Sequence, residues 1–339
     1  MHITCLTKYG EGIGIAHRLA EHDAVDVFVQ QGRYFPGELA TPIESWRPNL
    51  SRTSFILCLS NRFAQYEKIF KEHHKIYLGT SVLGSMLAKG KFTDFVDRYA
   101  IPSELPSPGI TCRVVCGFFN GVDWVSPFVL CENFSYLFAG DVGPTVISMG
   151  TIAKAIKKQP NYTEEFAKGL RQLNLRDLVT IIYNEDFSKV IGIATGLQSV
   201  LEVFGEGIKE DLGYFLYKVA TGTTDKAEFT EDWLISVNIT IPPFPYTANI
   251  EVPIGKGIDG INPENLRHLY LKDIQKIDNK YSVAGTLTQE VFSATARGRT
   301  LKEARKRVYR TIKNISLTNM QYRNDIGLSC SFEDIVDEL

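Results

Sequence analysis

No stretch of the chain approaches the roughly 20 consecutive apolar residues that cross a bilayer, so the sequence predicts no membrane-spanning helix and no membrane partner. Neither sign of charge dominates. The 37 Lys and Arg against 39 Asp and Glu leave a formal net charge of −2, which confines any polyanion site to a local patch. Cysteine is sparse, with six scattered residues of which only Cys112 and Cys116 are close together. One C-x-x-x-C pair without a second cannot complete a tetrahedral zinc site, and the thiols read as reduced core residues of a cytoplasmic protein. Histidine is equally scarce, and its one doublet, His73-His74, falls in the charged stretch Lys68 to Lys75. That stretch reads as a solvated helix end, so no metal site is expected. A Walker loop, a His-Glu-x-x-His motif and a Ser, His and acid arrangement are all missing. The N-terminus, Met1 to Leu6, enters a strand pattern directly, and no targeting peptide is expected.

What is present is an ordinary folding composition, 44% hydrophobic and 22% charged, over 339 residues. That length favours two or three packed domains over one. Residues 1–80 alternate strand and helix patterns: strands at Ile3 to Leu6, Ala24 to Val29, Thr53 to Leu59 and Lys75 to Leu78, helices at Ile15 to Glu21 and Phe63 to His73. This predicts an open parallel-sheet α/β domain. In residues 81–230 a helix is predicted from Ser81 to Tyr99, and another near Glu164 to Leu173. Between them, Arg113 to Phe119 and Trp124 to Leu130 form a hairpin through Asn120-Gly121. A second hairpin joins Leu178 to Tyr183 with Lys189 to Ile193, and a helix follows from Asp211 to Ala220. Residues 231–339 read as an α+β domain, with strands at Trp233 to Ile241, His268 to Leu271, Tyr281 to Gly285 and Val291 to Ala296. Its closing helix, Leu301 to Ile315, has one apolar face and Thr300 as N-cap.

Three segments carry candidate chemistry. Gly10-Glu11-Gly12-Ile13-Gly14 lies between a strand and a helix, where it is either a tight turn or a phosphate seat at a helix N-terminus. Its spacing is not G-x-G-x-x-G, which argues against a dinucleotide fold. The loop Gly140-Asp141-Val142-Gly143-Pro144-Thr145, running on to Met149-Gly150, presents one carboxylate on a rigid backbone. It is either a ligand loop or a structural turn capped by Asp141. The basic strip with Arg299, Arg305, Arg307 and Arg310 is either a solvated helix face or a nucleic-acid contact.

Taken in order, these pieces resemble phosphoribosylamine–glycine ligase, the ATP-grasp enzyme of purine synthesis that joins glycine to phosphoribosylamine. Gly140-Asp141-Val142-Gly143-Pro144 with Met149-Gly150 looks like the family's GDxGPNTGGMG substrate loop, with departures at Thr145, Val146, Ile147 and Ser148. Tyr9-Gly10-Glu11-Gly12 stands where the family has Gly-Gly-Arg-Glu-His. Lys89 with Asp94-Phe95 and Ala100-Ile101-Pro102 resembles the helix opening the ATP-grasp region, where the family's lysine contacts nucleotide. The ending Met320-Gln321-Tyr322-Arg323-Asn324-Asp325-Ile326-Gly327 is close to the family's M-x-Y-R-x-D-I-G. The resemblance implies an ATP-grasp-like core, a substrate-binding role for Gly140, Asp141, Gly143, Pro144, Thr145 and Met149, and a phosphate-binding role for Gly10, Glu11 and Gly12.

The departures fall on the nucleotide side. Between Pro102 and Arg113 there is room only for a Pro-Ser-Gly turn, where the family places its glycine-rich lid and second nucleotide lysine. Cys116-Gly117-Phe118-Phe119 occupies the position of the family's Glu-Glu-Phe-Leu hinge, leaving Asp123 as the replacement for a ribose-binding acid. Gly192 and Ala194 stand where the family's K-V-L-E-F-N carries its magnesium ligands. Phosphoryl transfer depends on cations and positioned donors around the triphosphate, so ATP and magnesium are left unassigned. Three readings follow: a reduced ligase or amine transferase that joins a small amino acid or amine, such as glycine, to a phosphorylated or pre-activated acceptor; an ATP-dependent carboxylate–amine ligase with an atypical nucleotide site; and a non-catalytic binding or assembly protein on the same scaffold.

Overall fold

Short apolar runs with no polar alternation can be buried only where a sheet is covered on both faces, and the N-terminal strands obey that rule. In the computed structural model, which describes residues 1–79, 92–104, 112–196, 199–246, 254–286, 288–336 and 338, β1 (His2–Thr7) lies at the centre of a five-stranded parallel sheet. Its neighbours are β2 (Ala24–Val29) and β4 (Phe55–Cys58), with β3 (Thr41–Pro42) and β5 (Ile76–Leu78) at the edges. Helix α1 (Ile13–Leu19) crosses from β1 to β2. The helix expected over Phe63 to His73 is split into a 3-10 turn, Asn61–Tyr66, and α2 (Glu67–Glu72). Tyr66 and Phe70 both pack on Trp46, each with ring centroids 5.3 Å away, and this aromatic cluster sets the local winding.

The rest of the described chain builds an eight-stranded sheet, a three-stranded one and a two-stranded hairpin. Helix α3 (Phe92–Arg98) is the described part of the helix expected over 81–99; residues 80–91, Lys89 among them, lie outside the described residues. The strands are β6 (Cys112–Asn120), β7 (Trp124–Asn133), a small hairpin of β8 (Tyr136–Phe138) and β9 (Val142–Thr145), then β10 (Gly150–Ile156). Helix α4 (Thr163–Gln172) leads to β11 (Arg176–Asn184) and β12 (Val190–Thr195). Helices α5 (Ser199–Gly207) and α6 (Leu212–Thr221) precede β13 (Trp233–Thr240). Beyond β14 (Gly257–Ile258) and the short α7 (Pro263–Leu266) come β15 (Leu269–Leu271), β16 (Ile274–Ile277), β17 (Lys280–Val283), β18 (Glu290–Gly298) and α8 (Leu301–Lys313). The sheet order is β12-β11-β6-β7-β10-β13-β18-β15.

That sheet runs straight across residue 231, where the sequence suggested a boundary. The reason lies in β13, whose eight residues are all buried. A strand with no exposed face needs a partner on each edge, and β10 and β18 supply them. One face of the sheet is covered by α3, α4 and α8, through Phe95, Phe166 and Val308 among others. The opposite face packs on α5 and α6 and on the N-terminal domain, through Phe118, Phe204, Phe215 and Ile13. Among the described residues no helix is long and apolar enough to cross a membrane. The Thr300 cap forms as expected, its hydroxyl accepting from the Glu303 N–H at 3.2 Å. Thr300→Ala should therefore lower stability by about 1 kcal/mol in urea unfolding.

Candidate functional site

Where the N-terminal domain meets the large sheet, a cavity of about 280 Å3 opens between the Gly10 to Gly12 turn, residues Val146 to Ser148, and polar side chains of the sheet. Its floor is a buried ion cluster. The Lys272 ammonium forms an ion pair with Glu202 Oε1 at 3.2 Å and donates to Glu290 Oε2 at 2.8 Å and Asn238 Oδ1 at 3.1 Å. Asn238 Oδ1 also accepts from Ser293 Oγ at 3.0 Å, and its Nδ2 donates to the Ser148 carbonyl at 3.1 Å. Burial alone would lower the Lys272 pKa, but Glu202 and Glu290 reverse the sign and hold it above the usual lysine range. Such a cluster is costly to desolvate and is held only by full pairing.

Each member is placed by backbone. Glu202 projects from α5, and one turn later Glu206 anchors that helix by accepting from Thr295 Oγ1 at 2.6 Å and pairing with His268 at 3.1 Å. Lys272 directly follows β15, its N–H bonded to the Val291 carbonyl at 2.9 Å. The neighbouring Asp273 accepts from the Thr286 N–H at 2.6 Å, and burial pushes its carboxyl up to about 6. Gln289, buried with a left-handed φ of 55°, turns the chain into Glu290. A buried non-glycine residue in that region is a sign of a conformation enforced by its surroundings.

Of the residues singled out by sequence, Gly10, Glu11 and Gly12 line this cavity. Gly12, at φ 72°, is the N-cap of α1. Several N–H groups of the turn are engaged internally: Glu11 Oε2 accepts from Lys8 N at 3.2 Å and Tyr9 N at 2.8 Å, and Gly10 N donates to Thr7 Oγ1 at 3.1 Å. The Gly140 loop reaches the cavity only through Val146, Ile147 and Ser148, the positions that depart from the family pattern. Gly143, Pro144 and Thr145 belong to β9, away from the lining, and Met149 is buried in the core.

Asp141 is instead clamped from the far end of the chain. Arg323, 2% exposed, donates to Asp141 Oδ1 at 2.7 Å and to Asp325 Oδ1 and Oδ2 at 2.9 and 2.6 Å, while Asp325 Oδ2 accepts from Gly140 N at 2.9 Å. Its guanidinium also lies over the Phe134 ring, 5.0 Å from the centroid. The Tyr322 to Gly327 ending thus fixes the Gly140 loop. The carboxylates left behind are 63% and 22% exposed and can be solvated, so Arg323→Met should cost about 1–2 kcal/mol in urea unfolding through its lost hydrogen bonds and expose the β8–β9 hairpin to limited proteolysis.

The remaining candidates lie elsewhere. Asp123 sits on the β6–β7 turn, 51% exposed and paired with Arg171 at 3.2 Å. Arg305 donates to the Asn324 carbonyl and Arg307 pairs with Glu303, whereas Arg299 and Arg310 are exposed. Asp123 also borders a wider groove of about 790 Å3 with Lys157, Lys158 and Lys226. None of the charged side chains lining that groove is buried, so it lacks the preorganisation of the smaller cavity. Gly192 and Ala194, on β12, offer no side-chain ligand. Among the described residues no three His, Cys, Asp or Glu side chains converge to hold a metal ion. Residues 80–91 and 105–111, where the resemblance places nucleotide contacts, lie outside the described residues, and no step is derived through magnesium or a nucleotide.

Sequence reasoning missed Glu202, Asn238, Lys272 and Glu290. A signal was present for one of them: Asn238 lies between Val237 and Ile239 in a largely apolar strand, and a buried amide demands partners.

A parallel-sheet domain packed on a large antiparallel sheet, with a polar cavity at the junction, defines an ATP-grasp-like architecture. No family model matches the chain. Among solved structures it superposes on phosphoribosylamine–glycine ligase from Thermotoga maritima with a TM-score of 0.69 at 15% identity, covering 96% of this chain and 100% of that one. It superposes on the biotin carboxylase domain of Hydrogenobacter thermophilus 2-oxoglutarate carboxylase with a TM-score of 0.61 at 10% identity, covering 98% and 95%. In sequence it is 28% identical over 221 residues to phosphoribosylamine–glycine ligase of Clostridium acetobutylicum, covering 60% of this chain and 51% of the relative. The corresponding ligase of Rhizobium meliloti is 23% identical over 218 residues, with 60% and 50% covered. The chain spans about half the length of the curated relatives it matches. In sequence the chain is thus similar to phosphoribosylamine–glycine ligases over part of its length, and it shares their fold.

Proposed function

We propose that the protein is a ligase-like amine transferase. It binds a small amino acid or amine in the cavity above Lys272 and joins it to a phosphorylated or otherwise pre-activated acceptor. The observation that carries this reading is the buried Lys272–Glu202–Glu290–Asn238 cluster on a cavity wall shared with the Gly10 turn and the Gly140 loop. The Gly10 turn and the Val146 to Ser148 end of the Gly140 loop meet there, while Gly192 and Ala194 leave their positions on β12 without a side-chain ligand.

With an acyl phosphate as acceptor, the C–N bond forms as the C–O bond to phosphate breaks. The ammonium gives up two protons, one to the departing phosphate and one to solvent. Glu290, at 21% side-chain exposure, is the group in this proposal that relays the first. The cavity's contribution is orientation, which converts a bimolecular encounter into a local one.

The test is calorimetric titration with magnesium and ATP, then with glycine and ethylamine, followed by incubation with acetyl phosphate and mass spectrometry of the amine. Amine binding and N-acetylation without ATP are expected. Strict dependence on ATP would restore an ATP-dependent ligase, and binding without any product would favour a non-catalytic scaffold.

A further inference from the structure

We propose that the cavity selects a primary ammonium ion carrying an apolar body, in preference to a zwitterionic amino acid or a phosphate. This rests on the reading of the cavity as the amine seat. The charge balance is the first argument. Among the described lining residues one side-chain cation, Lys272, faces three carboxylates, Glu11, Glu202 and Glu290.

The donor count is the second. An ammonium group has three N–H bonds, and those of Lys272 are matched by Glu202, Glu290 and Asn238. Lys272 is therefore already partnered by two carboxylates and one amide oxygen, which offset its charge toward an incoming anion. At the Gly10 turn the N–H groups of Lys8, Tyr9 and Gly10 are taken by Glu11 and Thr7, and no hydrogen bond from the described residues engages those of Glu11 and Gly12. What remains on the floor is acceptor capacity: Glu290 Oε2 meets Lys272 at 2.8 Å, while Oε1 receives no hydrogen bond from the described residues. A carboxylate or phosphate at that point would face a like charge without a donor. An ammonium would meet an oxygen that lacks one, and charge-assisted hydrogen bonds of this kind are the strong ones.

The walls are the third argument. Val146, Ile147, Phe244 and Pro245 surround the charged floor with apolar surface, and Ile147 is 66% exposed at the mouth. A volume of about 280 Å3 exceeds the needs of glycine and leaves space for a ring or short alkyl chain beside these side chains.

The experiment is calorimetric titration of the full chain with 2-phenylethylamine, methylamine, glycine and inorganic phosphate, each separately at neutral pH. 2-Phenylethylamine is expected to bind at least about tenfold more tightly than glycine, and phosphate not at all. Glu290→Gln should weaken 2-phenylethylamine by about tenfold or more. Because that change also disturbs a buried ion cluster, Ile147→Ser provides the second arm: it should weaken 2-phenylethylamine and leave methylamine unchanged. Tighter binding of glycine, or binding of phosphate, overturns the selectivity while the amine seat stands. Silence from all four probes overturns the seat itself.

Discussion

Lys272→Met is expected to destabilise the protein by about 3–5 kcal/mol at pH 7, the cost of stripping a buried ion cluster of its cation. The side chains concerned are 10% exposed for Lys272, 5% for Glu202 and 21% for Glu290, so Glu290 can be partly rescued by water and the lower end of the range applies. Methionine keeps the volume and the aliphatic stem. The loss is therefore electrostatic, with Asn238 Oδ1 also giving up one of its two donors. Burial already pushes the Glu202 carboxyl above the usual glutamate range, and without Lys272 it rises further. The penalty should accordingly shrink as the pH falls and the Glu202 carboxylate takes up a proton. Adding Glu202→Gln to Lys272→Met should recover part of the stability at pH 7. Urea unfolding at pH 7 and at lower pH, with both variants, measures all of this.

The second large effect is in the pH profile of the unmodified chain. Asp177 is fully buried on β11; burial pushes its carboxyl up to about 8, against the pull of the Leu178 N–H, and its Oδ2 has no partner among the described residues. The folded state thus keeps a proton that the unfolded state releases above about 4. Stability is lost as pH rises through this interval, at about 1.4 kcal/mol per unit.

His17 has the opposite sign. Burial lowers its pKa to about 4 despite its hydrogen bond to the Leu271 carbonyl, so stability is lost as pH falls from about 6.5 toward 4. Between those limits the two slopes oppose each other, and Asp273, pushed up to about 6 by burial, adds to the Asp177 trend. From about 6.5 to 8 Asp177 acts alone among these groups, and a fall of about 2 kcal/mol is expected. Asp177→Asn should flatten that interval. A decline that persists in this variant would place its origin elsewhere.

Four of the five strands of the N-terminal sheet are legible in the sequence as short, largely apolar runs between turn residues, β2 over Ala24–Val29 as expected, whereas the two-residue edge strand β3, Thr41–Pro42, carries no such signal. The closing helix is found with its Thr300 cap for a similar reason, a clear apolar face. By contrast β10 went unread, because Gly150 and the following mixture of Ala and Lys mimic a loop; it is a strand only because β7 and β13 flank it. Helix α5 escaped because glycines at 205 and 207 weaken its pattern. The same kind of failure hid the ion cluster. Glu202, Asn238, Lys272 and Glu290 come from four separate elements, and no local spacing connects them. Asp141 was conspicuous in the sequence, yet its carboxylate meets Arg323, 182 residues away.

The proposed amine seat is the junction above Lys272. A crystal structure of the full chain with 2-phenylethylamine tests it most directly. The account places the ligand nitrogen within hydrogen-bonding distance of Glu290 Oε1 and the ring between Ile147 and Phe244. A ligand seated instead in the wide groove beside Asp123, Lys157 and Lys158, with the junction cavity vacant, would contradict it.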